Sequence, residues 1–584
     1  MPGARIRLAA LLLAIATPLF AVAPAGRPSD DPLCDSICDA RRFHVEESTL
    51  KAKELFERAR TEAAGVQPHQ ALDIENYRID IHINSAGRTI QGTVTITFHP
   101  TAPLGQLRLR LHPALNMSGA FLDGTILSTI NRRGSNVTLA FAPELLPSSR
   151  HEIAVSYGGS PVTSSGLGGG ILFASHAGVP SATTLSEPFD SYAWWPCVDD
   201  VDDKATLDMI LTVPSGMIGA SNGILQEVLN NPDGTQSYLW RESYPIANYL
   251  ISANVTNYAS FSDTYSALNG STTMPVNYYV YPESLQSATG NVQAVPDMIR
   301  YFAELCGEYP FIDEKYGMVA FPWGGGMEHQ TLTSMGDAFL GRSGNFEAIY
   351  AHELAHQWWG DEVTCGTWND IWLNEGFATY FEVLWIARSN GLSESDVISQ
   401  YDDGAYNGYL GGSVYVTNAN KPFADTGAIY DKGAWVLHML RHVVGEAAFW
   451  QGLADYRQAH AYGNATTDDL RHAFEAAYGR SLAWFFDEWV YTSKRPIYSL
   501  ASSQGGSALT VTLTQKQKHL VRRRSEQRDT YIMPVDLTLH YQDGSAETRS
   551  VWNDRRIQTF ILPVNQDVAA VGLDEDHWIL KVVR

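Results

Sequence analysis

The chain has 584 residues, of which 45% are hydrophobic, and a formal net charge of −23. That length is too great for one hydrophobic core and calls for several domains, while the composition excludes a disordered or fibrous chain. So acidic a balance speaks against nucleic acid or an anionic membrane surface as a partner.

In chain order, Arg5 and Arg7 precede an apolar run from Leu8 to Val22, with small residues at Ala21, Ala23 and Ala25. This has the form of a secretory signal peptide over residues 1–25, cleaved after Ala23 or Ala25. No later run reaches the roughly 20 apolar residues of a bilayer span, so the mature protein is expected to have no integral membrane segment and to be secreted or periplasmic. Five cysteines are too few for a disulfide scaffold. Cys34 and Cys38 are close enough to be bridged, whereas Cys197, Cys306 and Cys365 read as buried free thiols.

Residues 26–66 form an extension whose Glu46–Ala63 stretch, with Leu50, Leu55 and Phe56 as a thin apolar seam, reads as a surface helix. From 67 to 257 the period is two. Runs such as YRIDIHIN, TIQGTVTITFHP and TLDMILTVP, set between Gly, Pro, Asn and Ser turns, predict an antiparallel β domain. Residues 258–500 read as α+β and mostly helical, with helices expected at VQAVPDMIRYFAELC, FEAIYAHELAHQWWG, WLNEGFATYFEVLWIARS, GAIYDKGAWVLHMLRHVVG, AAFWQGLADYRQAHA and TTDDLRHAFEAAYG. Residues 501–584 return to strand period and predict a terminal β-sandwich. The fold class is thus multidomain α+β.

The chemistry concentrates in YAHELAHQWWG. On a helix, residues four apart share a face, so His352 and His356 direct both imidazoles at one point with Glu353 beside them. Such a pair also occurs on helices that bind nothing, and a catalytic zinc needs a third protein ligand. Glu375, 19 residues after His356 in WNDIWLNEGFATYF, is the candidate. The first helix would end near Gly360 and Gly366, and a second would return from about Asn369 or Asp370. One Zn2+ on His352, His356 and Glu375 would leave a position for water, with Glu353 as its base.

The HELAH and WLNEGFA pair resembles the gluzincin aminopeptidases of peptidase family M1, and the family's motifs follow in order from about Leu72 to Lys494. The resemblance implies a thermolysin-like zinc catalytic domain between the two β domains, in a short form without the helical C-terminal cap. GGGMEHQ is similar to the family's glycine-rich strand with Met-Glu-Asn. By that likeness Glu328 binds the substrate α-ammonium and the Gly325 and Gly326 backbone lies along the peptide, while His329 stands where the family has Asn. LSEPFDSYAWWPCVDD resembles the family's Gln-x-Glu-Pro region, which makes Glu187 the second amine-binding acid. Leu185 replaces the usual Gln there, and Asp200 and Val201 replace Glu and Pro. AIYDKG resembles the Tyr-Asp/Glu-Lys-Gly signature and gives Tyr430 the role of oxyanion donor.

The resemblance therefore implies an aminopeptidase that uses a metal-activated water on peptides with a free N-terminus. A zinc endopeptidase or a non-catalytic peptide-binding protein on the same scaffold are the alternatives. Tyr192, Trp194 and Trp195 suggest a first pocket for a large apolar residue. Asp361 reads as a surface loop charge, and Thr379 as a residue that hydrogen-bonds a metal ligand.

Overall fold

The computed structural model describes residues 70–162, 169–401, 412–517 and 530–584, together with the two-residue strands at 521–522 and 527–528. The expected leader, the 26–66 extension with its helix, and Cys34 and Cys38 lie outside the described residues.

Alternation makes the first domain. Leu72–Asn84 buries every second residue along most of its length, so Ile74, Ile79, Ile81 and Ile83 face the core while the residues between them face water. An eight-stranded sheet forms around it, in the order Ile224–Asn230, Gln236–Ile246, Ala205–Val213, Leu72–Asn84, Thr89–Pro100, His151–Gly159, Leu115–Leu122 and Thr125–Ile126. The pairing is antiparallel except at the centre, where Leu72–Asn84 runs parallel to Ala205–Val213. Period alone cannot reveal this, because both orientations share the two-residue repeat. A four-stranded sheet (Ile218–Ser221, Ala253–Thr256, Val179–Leu185, Gly170–His176) then leads toward the catalytic region.

That region opens with a five-stranded mixed sheet in the order Ala259–Ser266, Thr273–Val280, Tyr316–Phe321, Thr333–Gly336 and Gly326–Met327. Its last strand is a two-residue edge, antiparallel to Ser334 and Met335. The helices that follow include α1 (Val295–Cys306), α2 (Glu347–Ala355), α3 (Trp372–Asn390) and α4 (Gly433–Val444). Helix α2 is wholly buried from Ala348 onward. It ends earlier than the glycines suggested, with His356 as its C-cap rather than an interior residue. Helix α3 starts at Trp372 after a turn of 3-10 helix, and Gly391 closes it in the left-handed conformation at φ 65°. Leu285–Asn291, Glu394–Ser399 and Ala483–Trp489 are further helices, too short for a helical period to mark them.

The C-terminal strands form a four-stranded sheet (Ile557–Pro563, Ala508–Gln515, Ile497–Gly505, Val582–Val583) and a three-stranded one (Ala546–Asn553, Met533–Tyr541, Val568–Leu573). Ala508–Gln515 and Met533–Tyr541 each bury one face by strict alternation, the pattern of two sheets closing on a shared core. Cys197, Cys306 and Cys365 are buried free thiols. No helix among the described residues is long and apolar enough to cross a membrane.

Candidate metal and peptide site

Helices α2 and α3 bring three ligand atoms into a near-equilateral triangle. His352 Nε2 lies 3.2 Å from His356 Nε2, and each is 3.4 Å from Glu375 Oε2. An ion about 2.0–2.1 Å from each atom at tetrahedral angles separates its ligands by about 3.3–3.4 Å, so the triangle has the dimensions of a zinc site.

The hydrogen-bond partners of the two rings set their tautomers. His352 Nδ1 faces Glu382 Oε2 at 3.2 Å, and Glu382 Oε1 accepts from the Tyr401 hydroxyl at 2.7 Å. His356 Nδ1 faces the Trp359 carbonyl at 3.1 Å. Both rings therefore donate from Nδ1, and both Nε2 lone pairs converge with a carboxylate oxygen in a buried volume. Three electron-rich atoms held so close need a cation between them.

Glycines set the approach of the neighbouring elements. A Cβ on Gly376 would lie 2.8 Å from Gly433 Cα, so α3 and α4 touch backbone to backbone one residue after Glu375. This contact presses Tyr430 against the site, and its ring lies parallel to His352 with centroids 5.8 Å apart. Tyr430 itself stands in a π-helical turn, Ala428–Lys432, that leads into α4, a distortion often found at functional positions. Lys432 pins the turn by donating to the Gly412 and Thr492 carbonyls at 2.7 and 2.9 Å. Burial pulls its pKa down to about 7. At Gly326 a Cβ would fall 2.3 Å from Glu353 Oε1, so the edge strand runs directly over that carboxylate.

The remaining acids gather on the same side. Glu328, Glu353 and His356 offer ligand atoms within 4.8 Å of one another, as do Glu187, Glu328 and Glu375. Glu328 is fully buried, and neither of its carboxylate oxygens has a hydrogen-bond partner among the described residues. The structure thus gathers Glu187, Glu328, Glu353, Glu375, His352 and His356 into one cluster, with the Tyr430 ring beside His352. Gly325 lies against the same strand pair, its carbonyl accepting from Gly336 N at 2.8 Å.

Behind Glu328 lies a buried polar network with no sequence signature. Thr331 adopts φ 61°, unusual for a β-branched residue. Its N–H donates to Gln357 Oε1 at 2.9 Å and its hydroxyl to Glu242 Oε2 at 2.9 Å, while Gly223 N donates to that hydroxyl at 2.8 Å. Gln357, one residue after His356, donates to Asp361 Oδ2 at 2.7 Å and accepts from Tyr309 at 3.0 Å. The strand carrying Glu328 is thereby keyed to the helix end carrying the histidines.

Two expectations are corrected and one is refined. Asp361 is fully buried, and burial together with the nearby Glu328 charge raises its pKa well above the carboxylate range. The chain doubles back there, so a charge that reads as loop is inside. Thr379 does hydrogen-bond the ligand residue Glu375, but at its backbone carbonyl, at 2.8 Å, as threonines on helices commonly do, and the side chain that faces a ligand ring is Glu382. Trp194 and Trp195 are fully buried in the first domain, Trp195 edge-on to Tyr77 at 4.9 Å, while Tyr192 lies under Arg110. Phe189, two residues after Glu187, belongs to an aromatic cluster with Trp368 and Tyr249, in which Trp368 lies 5.5 and 5.3 Å from the other two rings. Asn374 fixes Tyr249 by donating to its hydroxyl at 3.1 Å. Burial, followed by the charges of Glu328 and Glu187, holds that phenol protonated by raising its pKa.

Comparison with known proteins agrees with this construction. A family model described as the Peptidase M1 N-terminal domain matches residues 74–250, and one described as the Peptidase family M1 domain matches residues 291–489. Glutamyl aminopeptidase of Rattus norvegicus is 28% identical over 341 residues, 55% of this chain and 36% of the relative. Aminopeptidase M1 of Arabidopsis thaliana is 29% identical over 389 residues, 63% of this chain and 42% of the relative. The matches thus span well under half the length of these relatives. The crystal structure of an M1 zinc metallopeptidase from Deinococcus radiodurans superposes with a TM-score of 0.65 at 26% identity, covering 73% of this chain and 95% of that one. With both family domains matched in order and the zinc-sized triangle falling inside the second, this chain belongs to peptidase family M1.

Proposed function

We propose that the protein is an aminopeptidase that holds one Zn2+ on His352, His356 and Glu375 and removes single residues from the N-termini of peptides. The observation that carries this reading is Glu328, a fully buried carboxylate with both oxygens unpartnered, standing beside Glu353 and His356. An α-ammonium group satisfies such an acid. The interior of a longer peptide brings no cation and would leave it desolvated and unmatched. This favours the exopeptidase over the endopeptidase, and the complete set of ligands and base favours an enzyme over a binding protein.

When bound, zinc supplies Lewis acidity that polarises a peptide carbonyl and acidifies water. The rest is done by the chain. Glu187 and Glu328 receive the ammonium and so fix the first peptide bond over the histidine pair. Gly325 and Gly326, lacking side chains, let the substrate backbone lie along the edge strand. Glu353, held under that strand, takes the proton of the attacking water and returns it to the leaving amine. Tyr430 donates its hydroxyl to the carbonyl oxygen as charge develops there. The leader-like sequence at 1–25 supports action outside the cytoplasm.

The test is a panel of aminoacyl reporter substrates with free and acetylated N-termini, run with and without a chelator on the wild type and on Glu328→Ala. Chelator-sensitive activity confined to free amines is expected. In the variant the loss should be about 2–5 kcal/mol of binding to the amine, roughly 30-fold to several-thousand-fold in kcat/KM. Equal cleavage of acetylated substrates would overturn the reading.

A further inference from the structure

Glu328 makes no hydrogen bond through its carboxylate among the described residues, so the backbone beside it decides where an ammonium group would meet it. That backbone turns at once. Leu332 N donates to the His329 carbonyl at 3.0 Å, closing a turn over residues 329–332 whose third residue, Thr331, has φ 61°. Glycine takes such a position freely, whereas a β-branched residue is strained there. What threonine adds is a hydroxyl, which donates to Glu242 Oε2 at 2.9 Å, accepts from Gly223 N at 2.8 Å and lies 3.4 Å from Lys315 Nζ. Gln330, the second residue of the turn, donates from Nε2 to Glu242 Oε1 at 3.1 Å and accepts at its carbonyl from Asn222 Nδ2 at 2.6 Å. Glu242, fully buried on the strand Gln236–Ile246 of the first domain, therefore gives one oxygen to each central residue of the turn.

We propose that Thr331 is a positioning residue for the peptidase reaction: its hydroxyl ties the turn after Glu328 to Glu242 and Gly223 of the first domain and so fixes the ammonium-binding carboxylate relative to the histidine pair. The inference rests on the amine-binding reading above, since it assigns how that site is held in register. The other end of the gauge is Gln357, one residue beyond His356, whose Oε1 accepts from Thr331 N at 2.9 Å. An ammonium contact is made alike before and during the reaction. Loosening it therefore raises KM and leaves kcat nearly as it was.

Two substitutions in the full-length, zinc-loaded enzyme test this, with leucine 4-nitroanilide as substrate and zinc content and circular dichroism measured on each. Thr331→Gly suits the turn and removes the strain together with the hydroxyl. Its KM should rise by about 10- to 100-fold while kcat stays within about twofold. Thr331→Ser keeps the hydroxyl and should hold KM within about threefold of the wild type. Introduced into Glu328→Ala, Thr331→Gly should lower kcat/KM by no more than about a further twofold, because both changes act through one contact. An unchanged KM in Thr331→Gly, a fall in kcat at constant KM, a KM that Thr331→Ser fails to restore, or a full additional penalty in the Glu328→Ala background overturns the proposal. Loss of zinc or of the native spectrum in Thr331→Gly overturns it too, by showing that the hydroxyl holds the fold and not the register. Glu328→Ala that alone leaves kcat/KM for the free amine intact would defeat the amine-binding reading instead, so the two failures are distinguishable.

Discussion

At Glu353, the proposed mechanism places the proton work on one side chain. Its carboxylate lies beneath the Gly326 backbone, close to the histidine pair but outside the zinc triangle. Glu353→Gln preserves shape and ligands, so zinc content by atomic absorption should stay at the wild-type level while kcat falls by about 10²–10⁴-fold. Tyr430→Phe removes the hydroxyl that the proposed mechanism aims at the developing charge. A loss of about 10²–10³-fold in kcat with KM nearly unchanged is expected, and steady-state kinetics on one substrate checks it. A comparable rise in KM would mean that the hydroxyl binds substrate before reaction. Glu382→Ala acts on the metal instead, since it frees the His352 ring to turn. Its zinc affinity, measured by competition with a chelator, should weaken by about 10–100-fold. The residues that face the reaction are legible in the sequence because their spacing is fixed by helix geometry or by a family motif. Glu382, Tyr401 and the link from Gln357 to Tyr309 are not, because those partners lie 19 to 48 residues apart and obey no local rule.

Between elements, the contact that matters is the crossing of α3 and α4. Gly376 and Gly433 meet with no room for a methyl group, and Ile429 O would lie 3.2 Å from a Cβ on Gly376. Both neighbours are backbone, so neither can swing aside. Gly376→Ala must separate the helices, which moves Glu375 from the histidines and Tyr430 from His352. The variant should lose both zinc and activity and be destabilised by about 1–3 kcal/mol, seen as a lower denaturant midpoint. Gly391→Ala at the far end of α3, where a Cβ meets nothing within 4 Å, should cost stability only through its φ of 65° and should keep its zinc. The strand bearing Glu328 makes the complementary point. Its motif is readable, but the anchors that hold Thr331 in its left-handed conformation, Glu242 and Gly223, come from a domain some 90 to 110 residues earlier. No pattern local to GGGMEHQ announces them.

Across the whole molecule, hydrophobic period shows where the long helices begin and where strands return after them, although the catalytic region itself opens on the strands Ala259–Ser266 and Thr273–Val280. What period does not convey is how the parts are fastened. Lys432 is one fastening. Its buried ammonium joins the turn of Tyr430 to Gly412 and to Thr492, where the chain leaves the helical body for the C-terminal sheets. Burial lowers its pKa from 10.5 to about 7. In the unfolded chain the group therefore holds its proton across the window from about pH 7 to 10.5 in which the folded chain has released it. The unfolded state binds more protons there, so this residue makes stability rise with pH through that window, by up to about 1.4 kcal/mol per pH unit. The neutral amine still has two hydrogens for the two carbonyls, so the fastening survives deprotonation. Lys432→Met removes the titration along with the hydrogen bonds. Urea midpoints at about pH 7 and about pH 9 should therefore rise more in the wild type than in the variant. The difference between the two increments should be about 2 kcal/mol, and equal increments would place the loss of charge elsewhere among the buried groups.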